Sequence, residues 1–166
     1  MSAFDRELAD NAEYAAQFVD PGLPGQAARG LAVVTCMDSR IDPLRMLGLE
    51  KGDAKILRNA GGRVTDDVLR TLVLAVHLLG VERVLVCQQT DCRMTKVNDE
   101  QAHEAIFEAS GVDTRSLEFR TIPDQPAALR HDVTKVKASP YLPRELVVAG
   151  GIYDVKSGRL EILVEE

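Results

Sequence analysis

The chain has 166 residues, 45% of them hydrophobic and 28% charged, which fits one domain with a sizeable core and the composition of an ordinary soluble globular protein. A net charge of −6 and the lack of any long basic run argue against nucleic acid as a partner. No apolar stretch approaches a membrane span, and Met1–Glu7 lacks the apolar core of a signal peptide; the 3 cysteines, odd in number and at or in predicted strands, suit a reducing cytoplasm rather than a disulfide framework.

Asp5 to Val19 reads as an amphipathic helix, with Leu8, Ala12, Ala15, Ala16 and Val19 on one stripe. Pro21-Gly22-Leu23-Pro24-Gly25 ends it, so residues 1–25 form a helix and linker ahead of the first strand. Such a helix packs either on its own domain or on a partner subunit. Leu31 to Thr35 is the first strand, and Asp42 to Leu47 a short helix with Asp42 as cap and Pro43 at its first position. Ala54 to Leu57 is the second strand. Thr65 caps a helix running to about Leu79, whose buried face is Leu69, Leu72, Val73, Val76 and Leu79; Gly80 stops it.

Arg83 to Cys87 or Gln88 is the third strand. Asp99 to Ala109 is a helix, Leu117 to Ile122 a short strand closed by Pro123, and Gln125 to Lys137 a further helix. Leu146 to Gly151 is the last core strand. Ile152–Val155 and Leu160–Val164 flank Lys156-Ser157-Gly158-Arg159 as a β-hairpin. Strands alternating with helices imply an α/β fold: a mainly parallel central sheet flanked by helices, with an antiparallel C-terminal hairpin at one edge, in one domain over 1–166.

The chemistry concentrates at three strand ends. In Thr35-Cys36-Met37-Asp38-Ser39-Arg40, a possible metal ligand, a carboxylate and a guanidinium fall at alternate positions. Extended geometry would put them on one face at the carboxyl end of a strand, where open α/β sheets carry their sites. Taken alone, the hexapeptide fits a buried cysteine beside a surface ion pair equally well. Arg58-Asn59-Ala60-Gly61-Gly62 and Gln88-Gln89-Thr90-Asp91-Cys92-Arg93 each follow another apolar run, which suggests one shared crevice.

Together these residues resemble the β-class carbonic anhydrases. That family carries C-x-D-x-R after its first strand, R-N-A-G after its second and H-x-x-C after its third. Here Cys36, Asp38 and Arg40 match the first motif, and Arg58-Asn59-Ala60-Gly61 the second. In the third, Gln89 stands at the histidine position, Cys92 is present, and Arg93 stands where a glycine usually follows. The resemblance covers most of the chain. It implies a zinc at Cys36, Cys92 and the position of Gln89, reversible hydration of carbon dioxide to bicarbonate, and a homodimer embraced by the N-terminal helices. It implies that Asp38 accepts a hydrogen bond from metal-bound water, that Arg40 fixes Asp38, and that substrate approaches the backbone at Ala60 and Gly61.

A neutral amide oxygen is a poor zinc ligand, so weak or partial zinc occupancy is expected. Asp38 is a possible replacement ligand. Cys87, one pleat deeper, is another, although a small core residue is the simpler reading of it. None of His77, His103 and His131 has a spacing that recommends it. Without a metal, two neighbouring thiolates repel, so at least one is expected to stay protonated unless Arg40 or Arg93 compensates. Three functions follow: a carbonic anhydrase, a lyase; a non-catalytic homologue binding bicarbonate or another small anion; and a thiol-redox-responsive protein using Cys36 and Cys92.

Overall fold

The computed structural model describes residues 2–166. Five strands form one sheet: β1 (Leu31–Cys36), β2 (Ala54–Asn59), β3 (Arg83–Gln89), β4 (Val147–Tyr153) and β5 (Leu160–Glu165), in the order β2-β1-β3-β4-β5. β1 pairs parallel with both β2 and β3, β3 pairs parallel with β4, and β5 returns antiparallel along β4. The expected fold class is thus the one observed. From β1 the chain passes first to one side of the strand and then to the other. The sheet's switch point, where a crevice opens at the carboxyl ends of the strands, therefore lies between β1 and its neighbours.

The apolar runs of β1 and β3 are buried on both faces, which is why they read as continuous rather than alternating. On one face Val34, Val86 and Val148 pack against Val68 and Leu72 of α2 (Asp66–Leu78) and against Leu129 and Val133 of α4 (Gln125–Lys137). On the other, Val33, Leu85 and Cys87 meet Met46, Ile56 and Tyr153. At Gly150 in β4 an added Cβ would stand 2.8 Å from Val133 Cγ2, so the close seat of α4 requires glycine there. Thr65 caps α2 through its side chain, as expected, and Gly80 follows the helix at φ 73. A buried ion pair, Arg63 Nε to Asp132 Oδ2 at 2.6 Å, ties the segment after β2 to α4.

Two expectations are corrected. Leu117–Ile122 is not a strand: the Asp99 carboxylate, in the first turn of α3 (Asp99–Ser110), takes the amides of Phe119, Arg120 and Thr121, and no strand lies alongside. The helix expected from Asp42 contracts to a 3-10 turn at Arg45–Leu47, whose first amide bonds Asp42 Oδ1 and which Gly48 ends in the left-handed region. The N-terminal helix α1 spans Asp5–Gln17 and buries none of its residues, so its apolar stripe does not pack on this chain.

Candidate active-site crevice

Cys36 is the last residue of β1, level with Asn59 of β2. Its Sγ accepts the Gly61 N–H at 3.3 Å. Gly61 has φ 79, and a Cβ there would come within 2.9 Å of Ile122 Cδ1, so glycine alone brings that amide to the sulfur. Asn59 closes the turn that presents Gly61 by bonding both the N–H and the carbonyl of Arg63, at 2.9 and 2.8 Å. Arg58 reaches over the loop after β1 and donates to the carbonyls of Cys36, Asp38 and Ile41, at 2.9, 2.6 and 3.2 Å. The segment Arg58–Gly61 thus holds the Cys36 loop in shape.

Asp38 and Arg40 do meet, but not by strand alternation. β1 stops at Cys36 and the chain turns. Asp38 Oδ1 accepts the backbone N–H of Arg40 at 2.9 Å, a local turn that folds the guanidinium back onto its own carboxylate. Nε and Nη2 of Arg40 then bond the two oxygens at 3.0 and 2.7 Å. The Arg40 side chain, with its backbone amide, holds the Asp38 carboxyl far below the usual carboxylate range. Arg40 also bonds Asp91, the residue before Cys92, a contact that sequence spacing does not announce. Asp91 adopts φ 55, in the left-handed region that aspartate tolerates better than most residues, and Lys96 pairs with it as well.

Cys36, Cys92 and Ile41 form one buried cluster. Hydrogen bonding from the Cys92 thiol is the largest influence on Cys36. With further help from the Gln89 amide and the N–H groups of Asp38 and Gly61, it brings Cys36 down to about 5 against the opposing effect of burial. The same contact, together with burial, pushes Cys92 far up. The two sulfurs are thus pushed in opposite directions, Cys36 down and Cys92 up, as neighbouring groups that resist ionising together are. Arg93 stands exposed at the start of a 3-10 turn rather than turned inward.

Gln89 is fully buried. Its Nε2 points at Asp38 Oδ2, 3.4 Å away, while its Oε1 is buried without a partner. Turning the amide over would set its oxygen against the carboxylate, so the donor side belongs toward the crevice. Where a third zinc ligand would need a lone pair, this chain presents N–H. Asp38 has both oxygens engaged by Arg40. Among the described residues, no group of three or more histidine, cysteine, aspartate or glutamate side chains is placed to hold a metal ion. The donor set does not fit a three-ligand zinc.

Cys87 is a core residue packed with Val33 and Leu85, its thiol pushed up by burial to about 11. The histidines lie outside the crevice: His77 Nε2 is 2.8 Å from the Tyr141 carbonyl, His103 Nδ1 is 2.8 Å from Thr114 Oγ1, and His131 is exposed on α4. Gln88 was not singled out from sequence. It is fully buried with neither amide atom paired.

A carbonic anhydrase family model matches residues 31–114. β-Carbonic anhydrase 1 of Mycobacterium tuberculosis is 36% identical over 161 residues, covering 96% of this chain and 97% of that protein. A carbon disulfide hydrolase of Acidithiobacillus thiooxidans is 30% identical, over 84% of this chain and 75% of its own length. Among solved structures, a carbonic anhydrase from Streptococcus mutans superposes with a TM-score of 0.91 at 38% identity, covering 99% of both chains. One from Glaciozyma antarctica gives 0.84 at 35%, covering 99% of this chain and 100% of that one. With relatives of this identity over nearly the whole chain and the same fold, this chain belongs to the β-carbonic anhydrase family.

Proposed function

We propose that this family member takes carbon dioxide or bicarbonate, or another anion of that size, into the crevice between Cys36, Asp38 and Gly61, and that it hydrates carbon dioxide poorly because it holds zinc weakly or in part. The observation that carries this reading is the Gln89 amide, whose N–H side faces Asp38 at 3.4 Å. A zinc centre with an open position takes three protein ligands. Here two sulfurs remain, and the carboxylate that would replace the third is held by Arg40.

The chain's own residues still suit a small ligand. Ala60 and Gly61 put no bulky side chain into the loop beside Cys36. Gln89 and Arg40 supply N–H donors. Asp38, kept ionised by Arg40, is an acceptor for a ligand hydroxyl such as that of bicarbonate. These roles for Asp38, Arg40, Ala60 and Gly61 are part of the proposal.

We also read the chain as one domain that works as a homodimer in a reducing compartment such as the cytoplasm. α1 buries nothing on its own chain yet exposes Leu8 and Tyr14, with Phe18 just past its end, an apolar face that a second copy would cover. Light scattering at micromolar concentration is expected to give a dimer, and a monomer would count against it.

The test of function is zinc quantification on protein purified without added metal, with a carbon dioxide hydration assay and a bicarbonate titration on the same sample. Zinc well below one per chain, low hydration activity and saturable bicarbonate binding are expected. One zinc per chain retained through dialysis against a chelator, with rapid hydration, would overturn the reading.

A further inference from the structure

We propose that Cys36 and Cys92 are an oxidisable dithiol, converted to an intramolecular disulfide by a hydroperoxide and returned to two thiols by a dithiol reductant. The inference rests on the reading that this crevice is not filled by tightly held zinc.

The geometry singles out this pair. Cys36 ends β1 and Cys92 stands three residues beyond β3, yet tertiary packing puts both side chains in one buried cluster with Ile41. All three cysteines are free. Cys87 is set apart with Val33 and Leu85, and so takes no share in the pair. A disulfide requires the sulfurs to close to about 2 Å. Side chains packed in one cluster need only a local shift to reach it, and Cys92 opens a short turn rather than sitting inside a strand.

Burial decides what reacts. Cys36 is 4% exposed and Cys92 2%, which admits a small peroxide far more readily than a protein thiol. The loop after β1 is open to solvent, with Met37 68% exposed beside the buried Cys36. The sulfur of Cys36 attacks the nearer peroxide oxygen and the O–O bond breaks. This leaves a sulfenic acid on Cys36 and releases an alcohol, or water from hydrogen peroxide, which takes up the thiol proton. The sulfur of Cys92 then attacks the sulfenic sulfur, the S–S bond forms, and hydroxide leaves with the Cys92 proton as water. Two thiols have lost two electrons and the peroxide has gained them. A resolving cysteine held against the first lets the sulfenic acid close to the reversible disulfide before it can go on to sulfinic acid.

The test uses the full chain, dialysed against a chelator and assayed for residual zinc, then treated with hydrogen peroxide. Thiols are counted under denaturing conditions, intact mass is measured, and disulfide-linked peptides are mapped without reduction. Of the 3 thiols, two are expected to disappear together. The mass should fall by about 2 Da, as one disulfide requires. The linked peptide should join Cys36 to Cys92, and dithiothreitol should restore all thiols. Cys36→Ser and Cys92→Ser should each abolish the mass loss, and Cys87→Ala should keep it. The mapping on unmodified protein decides the matter even if a variant folds poorly. Sulfinic acid on either cysteine, a disulfide between chains, or unchanged thiols in zinc-free protein would overturn the proposal. Zinc retained through the dialysis would show in the metal assay and overturn both the functional reading and the disulfide that rests on it, whereas unchanged thiols in zinc-free protein overturn the disulfide alone.

Discussion

Arg40 Nη1 lies 2.9 Å from Asp91 Oδ2, and Arg40 Nη2 lies 3.1 Å from the Asp91 carbonyl. The same guanidinium holds Asp38 through Nε and Nη2. One side chain thereby joins the loop that carries Cys36 to the loop that carries Cys92. Arg40 is 45% exposed and Asp91 41%, so the worth of these ion pairs lies more in positioning than in stability.

Asp91→Asn should therefore cost little, since exposed ion pairs contribute little and asparagine also tolerates the left-handed region. Asp91→Ala should cost roughly 1–2 kcal/mol more, because alanine is strained at φ 55. Urea denaturation of the two variants checks this. Equal losses would mean that the loop relaxes out of the left-handed region.

The pH dependence follows from Asp38. Its folded-state pKa is depressed, chiefly by Arg40, so the stability it contributes is complete above the unfolded carboxylate value and is lost as pH falls through that range toward the lower folded value. The stability difference between the natural protein and Asp38→Asn should hold steady from pH 7 to about 5, then shrink between about pH 4.5 and 2. A difference that does not change down to pH 2 would remove Asp38 from acid sensitivity.

Gln89→His with Arg93→Gly should raise zinc content to about one per chain and increase carbon dioxide hydration. Loss of an outer contact to a metal ligand alone costs about 10–100-fold, and a direct ligand should count for at least as much. Metal analysis and a hydration assay on the double variant read the outcome. A variant that stays metal-free would place the obstacle elsewhere, in the Arg40 grip on Asp38.

Arg63→Ala should be the most damaging of these changes. It leaves Asp132, whose side chain is 2% exposed, without its bidentate partner inside the fold. Breaking a buried pair in this way costs about 3–5 kcal/mol. Asp132→Asn with Arg63→Met should recover part of that loss, measured by chemical denaturation.

Gln88→Leu is expected to stabilise the chain by about 1 kcal/mol or more, because neither atom of the buried amide is paired and desolvating such a group costs about 1–3 kcal/mol. A clear loss of stability would show that the amide is satisfied in solution.

Much of this protein is written locally. Runs buried on both faces identify β1 and β3, the Thr65 cap starts α2, the left-handed glycine at position 80 follows its end, and the limits of α4 match the sequence reading at both ends. The motifs at the strand ends are legible for the same reason: each spans a few residues and its chemistry lies in their types. Even there, Asp38 and Arg40 meet through a local turn, not through the strand geometry that spacing suggests. Tertiary structure alone decided the rest. Leu117–Ile122 has the composition of a strand, but Asp99, some twenty residues away, takes three of its amides first. The second grip of Arg40, the ion pair of Arg63 with Asp132 and the contact of Cys36 with Cys92 all join segments far apart in the chain. Most decisive is the direction of the Gln89 amide. The residue type says only that a histidine is missing. The carboxylate held by Arg40 turns the N–H side inward, and electrostatics, not spacing, makes the crevice a place for sulfur and hydrogen bonds rather than for a third metal ligand.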